Sequence, residues 1–242
     1  MRIAVAQIRP VKGDIESNIA NHKELIELAV ANEVDIIIFP ELSLTGYEPE
    51  LSKELATNAN DVRFDDFDEI SDANQITIGV GAPLKSNAGV CISMILFQPG
   101  KARSVYSKKY LHADEEPFFV SGKSSVGLLN NNPKIALAIC YELSVPDHAE
   151  NAFENGAEVY IASVAKSAVG VDKAITRLSE IASKYSITVL MANCIGECDN
   201  IQCAGKTSAW NNKGVLLAQL DETEEGIIIL DTHTQEVNQL QK

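Results

Sequence analysis

Positive charge is scarce in this chain: 20 lysines and arginines stand against 34 aspartates and glutamates, a formal net charge of −14 over 242 residues. That balance repels polyanions, so neither nucleic acid nor an anionic membrane surface is expected as a partner. No apolar run approaches the ~18 residues of a membrane span, and the start, MRIAVAQI, lacks the longer apolar core and small-residue cleavage site of a secretory signal. Linkers are missing too. With no Gly/Ser- or Pro-rich divider and no internal repeat, residues 1–242 read as one domain. Aromatics are sparse at 6%, yet 45% hydrophobic residues suffice for a sizeable core. The five cysteines are an odd number in a chain too large to need staples, which points to free thiols and a cytoplasmic location. Three of them fall in CIGECDNIQC, with gaps of three and four residues and no histidine nearby, so no metal site is expected there.

Other absences exclude enzyme classes. Neither SGKSSVG nor AGKTSAW is a phosphate loop, because Pro117 and Asn200 stand where a glycine is required five residues before the Gly-Lys pair. No Gly-x-Ser-x-Gly elbow for a serine hydrolase occurs. A thiol-imidazole pair would have to recruit His112 or His148, and His148 lies on an expected helix eight residues beyond Cys140.

What is present is an alternation of strand and helix signals, which argues for an α/β fold. RIAVAQI reads as a strand, and Gly13-Asp14 then leads into a helix whose Ile15, Ile19, Leu25, Ile26 and Ala29 recur at helical spacing. VDIIIF (34–39) is a continuous apolar run suited to a strand covered on both faces. QITIGVGAPL and VCISMILFQPG follow, joined by the turn-forming KSNAG (85–89). Further along come the strand KIALAIC, a helix over 146–155, the strand EVYIASV, a helix near 173–185, the strand ITVLMAN and a closing strand pair ending in GIIILD.

Three strand ends deliver unusual residues: Glu41 after VDIIIFP, Lys108 after SVYS and Cys140 after KIALAI. Sites in α/β architectures gather at the carboxyl ends of strands. A thiol that attacks, a carboxylate that takes its proton and a cation that stabilises the developing charge would together make a nucleophilic catalyst.

The words around them, FPELSLTGY (39–47), YSKKYL (106–111) and CYE (140–142), resemble the three signature segments of the carbon-nitrogen hydrolase, or nitrilase, superfamily, in the family order. The resemblance implies a four-layer α-β-β-α sandwich, a homodimer, and hydrolysis of a small-molecule amide or N-carbamoyl compound without metal or organic cofactor. Carried over by position, it makes Glu41 the general base, Lys108 the catalytic lysine and Cys140 the nucleophile. Lys108 is preferred to Lys109 because Tyr106 and Leu111 then keep the family register. A second catalytic glutamate is expected in HADEEPFFVSG, where spacing favours Glu115 over Glu116. Tyr47, Glu116, Tyr141 and Glu142 are expected to border the substrate, with the Tyr141 backbone N–H an oxyanion donor. The Cys-Tyr-Glu word resembles amidase branches more than the nitrile-cleaving branch, where tryptophan commonly follows the cysteine. Nitrile hydrolysis, or a silent binding module on the same fold, is the alternative. LSVP (143–146) and EIASKY (180–185) depart from the family pattern, which leaves the acyl and amine halves of the substrate open. No appended domain is seen, so synthetase or acyltransferase versions are not expected.

Overall fold

The computed structural model describes residues 1–124 and 126–242. Its first sheet takes strands β1 (Arg2–Gln7), β2 (Ile36–Ile38), β3 (Thr77–Ser86), β4 (Gly89–Phe97) and β5 (Ser104–Ser107). The chain then crosses to a second sheet through β6 (Gly127–Leu129), β7 (Ile135–Ile139), β8 (Val159–Val164) and β9 (Thr188–Asn193). A separate hairpin, β10 (Ile195–Cys198) and β11 (Ile201–Ala204), interrupts before β12 (Ser208–Trp210) and β13 (Leu216–Gln219) complete that sheet. Strands β14 (Gly226–Asp231) and β15 (Val237–Gln241) return to the first sheet, giving the orders β15-β14-β1-β2-β3-β4-β5 and β13-β12-β9-β8-β7-β6.

Strand alternation builds the layers. Ile3 and Val5 of β1 face a core shared with Leu137, Ile139, Ile161 and Leu190 of the second sheet. Their neighbours Ala4 and Ala6 face the opposite way, onto a core with Leu25 and Ile26 of helix α1 (Ile15–Ala31). After the single-turn α2 (Ser52–Leu55), helix α3 (Asp65–Asn74) adds Phe67 to that outer layer. On the far side, Ala149 and Ala152 of α4 (Pro146–Glu154) and Leu178 of α5 (Ala168–Tyr185) cover Ala136, Ala138 and Tyr160. The order is helix, sheet, sheet, helix, as expected.

Local chemistry explains the boundaries. The Asp14 carboxylate accepts the Ser17 N–H at 3.0 Å and caps α1, whose five expected apolar positions are all buried. Strand β2 is shorter than VDIIIF, its last ladder bond running from the Phe39 N–H to the Gly79 carbonyl at 2.9 Å before the chain turns at Pro40. Helix α5 begins at Ala168, five residues ahead of expectation, since Gly170 weakens the helical signal of its first turn. The hairpin β10–β11 and helix α3 were not anticipated. Among the described residues no helix is long and apolar enough to cross a membrane, and all five cysteines are free.

Candidate active site

Glu41, Lys108 and Cys140 come together where the two sheets meet. Glu41 sits on a turn just past β2, laid directly on β3: a Cβ on Gly81 would fall 2.3 Å from the Leu42 nitrogen and 2.6 Å from the Pro40 oxygen, so only glycine allows that approach. The Leu44 N–H donates to the Gly81 carbonyl at 2.9 Å, and the Ser163 hydroxyl of β8 donates to the Phe39 carbonyl at 2.8 Å, tying this turn to the second sheet. From α1, the buried His22 ring lies 2.9 Å from the Ser43 hydroxyl and the Asn18 amide donates to the Leu44 carbonyl. Burial brings the His22 pKa down to about 4 despite its contact with the Asn18 carbonyl, so the ring supports the turn as a neutral group.

Lys108 follows β5, its N–H donating to the Ile92 carbonyl at 2.8 Å and its carbonyl accepting from Gly122 at 2.7 Å. Its fully buried ammonium donates to Glu41 Oε1 at 2.7 Å and to Glu115 Oε1 at 2.6 Å. Burial alone would lower its pKa; Glu41, Cys140 and Glu115 outweigh that and hold it above the ordinary lysine value, so the group stays charged. Lys109 is half-buried and reaches neither carboxylate, which agrees with the register read from Tyr106 and Leu111. Glu115 is fixed in turn by the Tyr47 hydroxyl at 3.0 Å and the His112 N–H at 2.8 Å.

Cys140 occupies the elbow after β7, at φ 45°, a left-handed conformation that costs a non-glycine residue energy and turns its side chain out of the strand line. The other Glu41 oxygen, Oε2, is buried without a hydrogen-bond partner, and the carboxyl faces the Cys140 thiol. Burial raises the Glu41 pKa, with Lys108 opposing it. Burial and then Glu41 push the Cys140 thiol up to about 11. A thiol and a carboxyl that both resist ionisation beside a fixed cation are placed to pass one proton between them.

A cavity of about 310 Å³ opens onto Cys140, lined by Tyr47, His112, Glu115, Tyr141 and Lys166 among others. Larger surface depressions of about 810 and 760 Å³ contain none of the three converging groups. Two expectations need correction. Glu142 does not border the cavity: it is fully buried, and Oε2 accepts from Tyr106 at 2.7 Å and from the Ile139 N–H at 2.8 Å while Oε1 accepts the Lys109 N–H at 2.7 Å. It clamps the cysteine elbow to the lysine turn, reaching back to the residue that starts its own turn as a capping glutamate does. Glu116 is exposed and is not among the cavity residues, because the 112–115 turn brings Glu115 inward and leaves its neighbour outside. His148 packs between the Tyr106 and Tyr160 hydroxyls, at 3.1 and 2.9 Å, and makes no pair with the thiol.

Sequence reasoning did not single out Lys166, whose backbone N–H donates to the Asn193 side chain and which helps to line the cavity. Only its place just past strand EVYIASV could have pointed to it. The three clustered cysteines, where spacing gave no reason to expect a metal site, are brought together by the β10–β11 hairpin: the sulfurs of Cys194, Cys198 and Cys203 lie within 4.8 Å of one another.

Residues 2–242 match the family model described as Carbon-nitrogen hydrolase. The chain belongs to that family. Among curated relatives, the glutamine-dependent NAD(+) synthetase of Thermotoga maritima is 26% identical over 241 residues, covering 96% of this chain but 42% of the synthetase. The chain thus spans about two fifths of the length of that relative and of its Aquifex aeolicus counterpart. The hydrolase in the agr operon of Staphylococcus aureus is 23% identical, with 99% and 94% of the two chains covered. In fold, the carbon-nitrogen hydrolase resembles the nitrilase-superfamily amidase of Nesterenkonia sp. AN1, with a TM-score of 0.87 at 21% identity over 97% of this chain and 92% of that one. One form of that amidase carries the acetamide moiety of fluoroacetamide on its active site cysteine.

Proposed function

We propose that this hydrolase cleaves the carbon-nitrogen bond of a small amide or N-carbamoyl compound through a thioester on Cys140. The observation that carries the reading is the buried Glu41 carboxyl beside Cys140, its Oε2 without a hydrogen-bond partner, with the Lys108 ammonium held by two carboxylates. Glu41 takes the thiol proton as sulfur bonds to the carbonyl carbon, and the carbonyl electron pair moves onto oxygen. The Lys108 ammonium and the Tyr141 backbone N–H are the donors for that oxyanion. As the intermediate collapses, Glu41 returns the proton to the departing ammonia or amine and leaves an acyl thioester. Glu41 then takes a proton from water as the water attacks the thioester; thiolate departs and is reprotonated. Glu115 moves no proton in this scheme and serves to position Lys108, while Tyr47 holds Glu115. The chemistry needs no metal or cofactor, and a cytoplasmic homodimer acting on a small-molecule amide is part of the same reading.

The small cavity supports a compact substrate, and the Nesterenkonia amidase supports an amide over a nitrile. A second reading is favoured by the synthetase relatives: release of ammonia from the side-chain amide of glutamine for use by a synthetase. Ammonia release should be assayed across ω-amides, glutamine, N-carbamoyl compounds and nitriles. Turnover of an amide or N-carbamoyl compound, abolished in a folded Cys140→Ala variant, is expected. Glutamine as the sole amide accepted would favour the second reading, and activity surviving in Cys140→Ala would sink both.

A further inference from the structure

The β10–β11 hairpin lies beside the catalytic cavity, and its three thiols play no part in the chemistry above. Cys194, Cys198 and Cys203 are each buried, in a small cluster with Ala165 against which Tyr47 packs. All three sulfurs fall within 4.8 Å of one another, the Cys194–Cys198 pair at 3.5 Å. Three sulfurs each about 2.3 Å from one ion in a common plane are about 4 Å apart, so a single ion bridges them with small side-chain adjustments. Their backbones are fixed independently: the Cys194 carbonyl accepts the Gly205 N–H at 2.9 Å, Cys203 forms a bridge with Ser167, and the next residue, Ala204, donates to the Lys166 carbonyl at 2.9 Å. The Asp199 N–H at the hairpin tip is anchored on the Glu48 carboxylate at 3.0 Å. The chain reverses at Asp199-Asn200, with Asp199 at φ 50°, which brings β11 back beside β10.

We propose that Cys194, Cys198 and Cys203 form a three-coordinate thiolate site for one soft d10 monocation of the Cu(I) class. Thiolate donors select soft ions. Structural zinc wants four ligands, and among the described residues no histidine or carboxylate joins the three sulfurs. Ion binding displaces the thiol protons of Cys194, Cys198 and Cys203 to solvent and changes no oxidation state.

The test uses full-length protein carrying Cys140→Ala, which removes the catalytic thiol as a competing ligand, kept reduced under anaerobic conditions. Cu(I) offered as its bathocuproine disulfonate complex should be taken up to one equivalent, and X-ray absorption should show three sulfur neighbours. Cys194→Ser, Cys198→Ser and Cys203→Ser, each added singly, should weaken uptake more than about 10-fold, whereas Cys91→Ser should not change it. Because a serine variant could fail to fold, the sulfur count on the protein with all three cysteines decides independently. Two sulfur neighbours, uptake no tighter than in the triple serine variant, or preferential uptake of Zn(II) in a four-coordinate site would overturn the proposal.

Discussion

At the scale of single residues, the site is a balance of charges in a dry place. Two glutamates share one buried ammonium, and the thiol beside them is a poor acid because burial and the Glu41 charge both oppose its ionisation. It follows that thiol acidity and catalysis separate in Glu41→Gln. With the carboxylate charge gone, the Cys140 pKa should drop below about 11, so iodoacetamide, which needs only thiolate, should alkylate Cys140 at a lower pH than in the parent protein. Amide turnover should instead fall, because no base remains to shuttle the proton. Peptide mass spectrometry of alkylation against pH reads the first effect and ammonia release the second; a parallel rise or fall of both would refute the proton-sharing arrangement. The adjacent lysines separate as well. Lys108→Ala removes the ammonium placed for the oxyanion and should slow turnover by ~100-fold or more. It also leaves two buried carboxylates unpaired, at a stability cost of about 3–5 kcal/mol. Lys109→Ala should change neither rate nor denaturation midpoint appreciably, since among the described residues that ammonium forms no ion pair and only lies over the Tyr110 ring, 6.0 Å from its centroid.

At the scale of elements, what matters is how two turns from different sheets are locked together, and Glu142 is the lock. Burial raises its pKa to about 6 against 4.5, even though the Ile139 N–H, the Tyr106 hydroxyl and the Lys109 N–H all favour the charged form. Folding therefore favours the protonated carboxyl relative to the unfolded chain. Its stabilising contribution is complete below pH 4.5 and lost as pH rises through about 6, a change of about 2 kcal/mol. Glu142→Gln carries no such titration, so the stability of the parent relative to this variant should fall by that amount between pH 4.5 and pH 7. Urea midpoints at the two pH values measure it, and a gap moving the other way would show that the buried carboxyl is held charged. The strand ends were legible to different degrees: Cys140 directly follows the apolar run IALAI and Glu41 follows VDIIIF after one proline, whereas Lys108 follows SVYS and was told from Lys109 by the family register of Tyr106 and Leu111. It did not make Glu142 legible as a clamp, since its partners Tyr106 and Lys109 lie over thirty residues away and only the meeting of β5 with β7 brings them near. The convergence of the three cysteines was not legible for a related reason: spacing rules describe a chain that runs on, whereas here the hairpin turn at Asp199-Asn200 brings β11 back beside β10.

At the scale of the whole molecule, neither sheet holds a complete site. Glu41 and Lys108 belong to strand ends of the first sheet and Cys140 to a strand end of the second, so catalysis depends on how the two layers sit against each other. Most of that interface is apolar and non-directional, formed by residues such as Val5, Ile38, Leu137 and Ile161, and it sets the spacing of the sheets more than their slide. The hydrogen bond from Ser163 in β8 to the Phe39 carbonyl is directional, buried, and two residues from Glu41. Ser163→Ala removes the donor, leaves a buried carbonyl without it and should cost about 1–3 kcal/mol. If that bond aligns the sheets, turnover should drop more than the denaturation midpoint alone explains at a temperature where the variant is fully folded. Alkylation of Cys140 by iodoacetamide should stay near the parent rate, because the elbow and its clamp belong to β7 and remain intact. Ser163→Thr, which keeps the hydroxyl, should recover part of the turnover. A Ser163→Ala variant with parent-like turnover would show that apolar packing alone sets the register between the sheets.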